Sequence, residues 1–204
     1  METLTKQFIH SLNQGQVCLH PTDTSPGLTF DPNCESAYLK LLDIKKRSSD
    51  KYYLGLVSSF DQAQQYWQEL PTRWKENLRK IWPSPLTIIW KASNKAPSRM
   101  ISTDGYLGLR YPKLPAHACW FYEVLSHLPY PLPSTSVNIS EQQTLSTWDH
   151  AVAFCQNKNI YIPPMDQEQK ESCKRSTIIK INDKGFELIR EGDYSTEDIQ
   201  SFLS

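Results

Sequence analysis

Glycine is scarce in this chain, with seven in 204 residues. Neither Gly-x-Gly-x-x-Gly nor Gly-x-x-x-x-Gly-Lys-Ser/Thr occurs, so the usual backbone cradles for phosphate are missing. Any nucleotide has to be held another way. A Gly-x-Ser-x-Gly nucleophile elbow is missing too. The five cysteines (Cys18, Cys34, Cys119, Cys155, Cys173) are scattered and form no Cys-x-x-Cys pair. That argues against a zinc site and a disulfide framework and reads as free thiols of a cytoplasmic protein. The five histidines make no His-x-x-x-His or His-Glu-x-x-His pattern, so no metal site is expected. Net charge is absent as well: 22 basic residues balance 22 acidic ones. No global field draws the protein to nucleic acid or membrane, and only a local basic patch stays open. Apolar runs are too short to span a bilayer. The first residues, "METLTKQFIH", lack both the apolar run and the small-residue cleavage site of a signal peptide.

What is present is a chain of 39% apolar residues broken by 14 prolines, the mark of a compact α/β protein with short connections. Helical spacing is read over residues 3–13, 35–47, 61–69, 72–81, 115–127, 147–156 and the C-terminal "STEDIQSFLS". Strands are read over 16–20, 52–59, 85–92, 106–112 and 132–140. Residues 176–181 and 186–191 read as a hairpin around "NDKG". Without an internal repeat, linker or break in composition, residues 1–204 are expected to form one domain. Strands and helices interleave with hairpin-length gaps, which favours a mixed sheet flanked by helices.

Four polar clusters lie at the ends of these elements, where side chains can converge on a ligand. They are Thr22-Asp23-Thr24; Lys45-Lys46-Arg47 with Lys51 close by; Ser134-Thr135-Ser136-Val137-Asn138; and Ser176-Thr177 with Arg190 across the hairpin. Each taken singly has a plain alternative. Thr and Asp between prolines make turns. Cations at a helix end complement its dipole. Ser, Thr and Asn after a strand cap loops.

Taken in order, the clusters carry a resemblance. "PTDTSPGL" (21–28) follows a strand; "IKKRSSDK" (44–51) holds Lys-x-Arg with a downstream Asp-Lys; then come "WPSPLT" (82–87), "LGLRYP" (107–112), "STSVNISE" (134–141), "STI" (176–178) and "LIREG" (188–192). This series resembles the YrdC/TsaC family, the threonylcarbamoyl-AMP synthases of tRNA modification, in its short form. The resemblance implies an open, twisted mixed α/β sheet with a central basic cavity. It implies that L-threonine, bicarbonate and ATP, with Mg2+, give threonylcarbamoyl-AMP and pyrophosphate. A partner complex then transfers the threonylcarbamoyl group to an adenosine beside the anticodon of tRNA. By the same resemblance, Lys45 and Arg47 neutralise the threonine carboxylate, bicarbonate and phosphate oxygens, and Ser136 and Asn138 bind phosphate or carbamate. Thr22 and Thr24 bond threonine or nucleotide. Lys51, Thr87, Arg110, Ser134, Ser176 and Arg190 fall on the ATP side.

The chain departs from the family pattern at five positions. Pro26 stands for an aromatic, Ser48 for a proline, Ser84 for a glycine, Val137 for an alanine and Glu141 for a glycine. Two further readings follow from these departures. One is a diverged relative that binds nucleotide, double-stranded RNA or tRNA without synthase activity, with affinity that falls steeply with salt. The other is a carbamoyl-transfer domain for a different acceptor; related maturation factors are much longer chains with zinc-finger cysteines.

Overall fold

The computed structural model describes residues 2–46, 48, 52–165, 175–182 and 185–203. In chain order the elements are α1 (Glu2–Asn13), β1 (Cys18–His20), β2 (Gly27–Thr29), α2 (Glu35–Lys45), β3 (Leu54–Leu56), α3 (Phe60–Tyr66), α4 (Thr72–Ile81), β4 (Leu86–Lys91), β5 (Tyr106–Arg110), α5 (Trp120–His127), β6 (Leu132–Ser136), α6 (Trp148–Cys155), β7 (Thr177–Asn182), β8 (Gly185–Arg190) and α7 (Thr196–Leu203). The strands form one sheet in the order β1-β2-β6-β3-β5-β4-β7-β8. Pairs β3–β5 and β4–β7 are parallel and the rest antiparallel, so the sheet is mixed, as the interleaved pattern predicts.

The strands read over 16–20, 52–59 and 132–140 are regular only over Cys18–His20, Leu54–Leu56 and Leu132–Ser136, and two helix boundaries move for local reasons. The helix read over 61–69 stops at Tyr66, because Trp67 turns into an isolated β-bridge with Ala92. Its indole N–H donates to the Leu107 carbonyl at 2.9 Å, which satisfies a polar group that would otherwise be buried unpaired. The helix read over 115–127 is regular only from Trp120, behind a 3-10 turn at Ala116–Ala118. One strand, β2, escapes sequence reading altogether. It lies inside "PTDTSPGL" and its continuation, is three residues long and is fully buried, so no two-residue alternation marks it.

Three apolar clusters hold the sheet. Helices α3 and α4 and Ile199 of α7 pack with Leu86, Ile88, Leu107, Leu109 and Ile179. Helices α1 and α5 pack with Leu56 and Leu132. Helices α2 and α6 pack with Leu19, Leu28 and Phe30. Val137 belongs to this last cluster with no exposed surface, so the residue found where the family has alanine fills core rather than cavity.

Two glycines set the wall positions. Gly192 presses against the backbone of Arg175–Thr177: a Cβ there would lie 2.2 Å from the Arg175 carbonyl oxygen. Gly27 lies between His20 and Ser136 in the β1–β2–β6 register. Because it has no side chain, the His20 ring crosses β2, and its Nε2 reaches Ser134 Oγ at 3.0 Å. A Cβ on Gly27 would sit 2.4 Å from that nitrogen. The ring is completely buried, stacked on Phe121 at 5.2 Å with planes 9° apart.

Desolvation by that burial pushes His20 from 6.5 down to about 4; the hydrogen bond to the Pro21 carbonyl opposes this, and the charge of Arg110 adds to it. The unfolded chain therefore takes up a proton near pH 6.5 that the folded chain refuses until about pH 4. The stabilisation is complete above pH 6.5 and is lost as pH falls towards 4, to the extent of about 3 kcal/mol. Urea unfolding at pH 7, 5.5 and 4.5 is expected to show this loss in the wild type and a flatter profile in His20→Gln. For Gly192→Ala, the collision with backbone is expected to cost about 1–3 kcal/mol and lower the melting temperature. An unchanged melting temperature would show that residues 175–177 give way freely.

Candidate functional site

One face of the sheet carries a cavity of about 450 Å³, within the ~300–1,000 Å³ range of small-molecule sites. The strand register explains its lining. Gly27 pairs with Ser136, Leu54 with Ser134, and Leu56 with Arg110, so these residues share a face across β2, β6, β3 and β5. Thr87 of β4 and Arg190 of β8 extend it, and Ser176 precedes β7. The β1–β2 loop and the segment after β6 close the sides with Thr22, Thr24, Pro26, Glu141, Gln142 and Thr144. Tyr52 is the one aromatic residue among the described lining residues.

The loop side is held by a dense set of hydrogen bonds. Thr22 Oγ1 donates to the Ser25 carbonyl at 2.7 Å and accepts from the Thr24 N–H at 2.9 Å. Asp23 is not among the lining residues. It pairs with Arg110 and accepts from the Lys113 N–H at 2.8 Å; both side chains of the ion pair are under one-tenth exposed. Arg110 Nη2 also donates to Thr24 Oγ1 at 3.2 Å, while its buried Nε–H has no hydrogen-bond partner. The opening motif is thus pinned to β5.

On β6, Ser136 Oγ donates to Asn138 Oδ1 at 2.7 Å, and the Asn138 amide donates to the Gln142 carbonyl at 2.7 Å. Lys45 lies behind this wall, buried. Its ammonium donates to the Ser136 carbonyl, to the Asn138 carbonyl at 3.0 Å and to Asn138 Oδ1 at 2.9 Å. The next wall is cationic. Arg190 donates to the Ser176 carbonyl from Nε at 3.1 Å and Nη2 at 2.7 Å, and to Ser176 Oγ at 3.0 Å. Thr87 Oγ1 donates to Ser176 Oγ at 3.2 Å. Burial, then the like charges of Arg175 and Arg110, push the Arg190 guanidinium below its ordinary value. Guanidiniums that repel one another in a half-buried site are stabilised by an anion placed among them.

Of the residues singled out in the sequence, Thr22, Thr24, Thr87, Arg110, Ser134, Ser136, Asn138, Ser176 and Arg190 line this one cavity. Lys45 does not; it supports the wall from behind. Arg47 and Lys51 lie outside the described residues. Of the departures, Pro26 and Glu141 line the cavity, whereas Ser84 is buried elsewhere, its N–H bonded to the Tyr111 carbonyl at 3.0 Å. Glu141 adopts φ 70°, the left-handed conformation that glycine takes without cost. Sequence reasoning missed Arg175, Tyr52 and His20. Arg175 directly precedes "STI" and could have been found from that adjacency. His20 gives no signal, because nothing local reveals that a ring crosses a neighbouring strand. Among the described residues no group of three His, Cys, Asp or Glu gathers that could hold a metal ion. Nor is any described helix long and apolar enough to cross a membrane.

The family described as telomere recombination, Sua5_yciO_yrdC, matches residues 10–192. A threonylcarbamoyl-AMP synthase of Vibrio vulnificus is 33% identical over 145 residues, covering 70% of this chain and 75% of its own length. The fold is similar to that of P. abyssi Sua5 complexed with L-threonine, with a TM-score of 0.81 and 22% identity; the match covers 98% of this chain and 57% of Sua5. It is similar also to E. coli YciO, with a TM-score of 0.80 and 19% identity, over 98% of this chain and 94% of YciO. This chain therefore spans little more than half of Sua5 but nearly the whole of YciO. The motifs that line the cavity all fall within the matched residues, and the chain belongs to the Sua5/YciO/YrdC family.

Proposed function

We propose that this protein is a threonylcarbamoyl-AMP synthase. It joins L-threonine, bicarbonate and ATP into threonylcarbamoyl-AMP, with pyrophosphate as the other product. The observation that carries this reading is the division of one cavity into two chemistries. Arg175, Arg190 and Arg110 supply cationic donors, and the wall of Thr22, Thr24, Ser134 and Ser136 supplies hydroxyls. Polyphosphate and an amino acid need these two environments side by side.

The reaction needs no covalent enzyme intermediate. The threonine amine attacks the carbon of bicarbonate, water leaves, and a carbamate forms. A carbamate oxygen then attacks the α-phosphorus of ATP and displaces pyrophosphate. Both steps bring anions together, so alignment and charge stabilisation provide the catalysis. Arg190 and Arg175 bind the phosphates. Ser176 and Thr87 set the orientation of Arg190. Lys45 keeps Ser136 and Asn138 in place, and Arg47 and Lys51, by the family resemblance, supply positive charge for the anionic substrates. Pro26, Tyr52, Leu54 and Leu56 give apolar surface for the nucleoside. Magnesium enters with ATP. Glu141 is the one carboxylate among the described lining residues that would be able to contact the ion, whose part would be to offset phosphate charge. The product goes to a threonylcarbamoyl-transferase complex acting on tRNA, and we place this work in the cytoplasm, where tRNA and ATP are.

Incubation with ATP, threonine, bicarbonate and magnesium is expected to release pyrophosphate and threonylcarbamoyl-AMP in a threonine-dependent manner. Arg190→Ala is expected to lower kcat/KM for ATP by about 10–100-fold, the effect of losing charged hydrogen bonds. Wild-type protein that releases no pyrophosphate above background refutes the synthase reading. Salt-sensitive tRNA binding without ATP binding would then point to an RNA-binding relative.

A further inference from the structure

The His20–Ser134 pair has a direction. His20 Nδ1 lies 3.0 Å from the Pro21 carbonyl oxygen, which can only accept, so Nδ1 carries the proton. In a neutral imidazole Nε2 then holds the lone pair. Ser134 Oγ, 3.0 Å from Nε2, must donate its single proton to it. Complete burial keeps the ring neutral, against the pull of the Pro21 carbonyl and with the help of Arg110's charge. Ser134 lines the cavity with only lone pairs left to offer.

We propose that His20 is a positioning residue that fixes Ser134 as a hydrogen-bond acceptor, so that this point of the wall takes an N–H or O–H group of the substrate and repels anionic oxygens. Resting on the synthase reading, the group is the amino nitrogen of threonine. Anions belong to the guanidinium end. Gly27 is what lets the ring reach across β2, and Phe121 fixes its plane.

A serine bonded to a histidine also has the outline of a nucleophile and its base. The ring's surroundings argue against that role. A base must hold the serine proton as a cation, and a fully buried ring beside Arg110 is a poor place for one.

Two measurements test the proposal. Long-range proton–nitrogen NMR on histidine-labelled, ligand-free protein at pH 7 is expected to show His20 protonated at Nδ1 alone. The Nε2-protonated tautomer or an imidazolium would overturn the proposal, whatever the protein binds. Calorimetry with threonine and with ATP forms the second arm. His20→Phe keeps the ring's bulk and stacking but loses the acceptor; it and Ser134→Ala are expected to weaken threonine binding about tenfold or more, with ATP affinity held within about twofold. The double variant is expected to lose no more than either single one. His20→Gln, whose side-chain carbonyl can accept, is expected to restore threonine binding to within about threefold of wild type. His20→Phe with full threonine affinity, or with equal losses for both ligands, overturns the proposal. So does labelling of Ser134 by a serine-directed fluorophosphonate. Wild-type protein that shows the expected tautomer but binds no threonine refutes the synthase reading and the amino-group assignment, while the polarity of Ser134 stands on the NMR result.

Discussion

The buried ammonium of Lys45 ties the wall of the cavity to the body of the protein. It ends helix α2, and its three bonds reach two carbonyls and one side-chain oxygen in the segment that leaves β6. The bond from Ser140 N–H to the Lys45 carbonyl at 2.8 Å closes the clasp from the other side. A charge is costly to bury unless polar groups surround it, and the groups that surround this one are the backbone and amide oxygens of Ser136 and Asn138. The position of these residues is therefore set by a cation rather than by packing alone. Lysine suits the place because its compact charge can serve acceptors in several directions, whereas a planar guanidinium could not.

From that clasp outward the site is polarised. The protons of the hydroxyls near β6 and the first loop run inward: Thr22 to Ser25, Ser136 to Asn138, Ser134 to His20. At the far end Arg190 is bonded to Ser176, and Arg175, whose Nη2 donates to Thr144 Oγ1 at 3.4 Å, adds a second guanidinium to the lining. Arg110 stands between the two regions with its charge balanced by Asp23, so it holds the loop to β5 as well as facing the cavity. The arrangement is preorganised: the polar groups are oriented by the fold before any ligand arrives, which is where electrostatic catalysis obtains its advantage.

Much of this was legible in the sequence, and the limits have physical causes. Strands such as "PLTIIWKA" announce themselves by β-branched residues, and the amphipathic helices by their spacing. Most hydroxyl and amide residues of the site, with Arg190, were legible as clusters, because short polar runs at element ends are local features; Arg110 and Thr87 came from the family resemblance alone, and Arg175 was missed. The division of labour inside each cluster was not. Lys45 is a wall support although its motif suggests a ligand contact, and Asp23 is an arginine partner although it sits between two cavity threonines. Both facts depend on contacts between positions some ninety residues apart. Strand β2 is too short for periodicity to show, and the reach of His20 across it depends on what its neighbour lacks.

The reach of the His20 ring across β2 constrains how this protein can change. Positions 20, 27 and 134 behave as a single unit, since the ring occupies the space that any side chain at 27 would need and ends on the hydroxyl of 134. Replacing Gly27 is costly while the imidazole is present and becomes tolerable only once position 20 is shortened, at the expense of the partner that orients the serine. Substitutions at the three sites are thus strongly non-additive, and a path between this arrangement and one with a side chain at 27 passes through the residue behind the wall first.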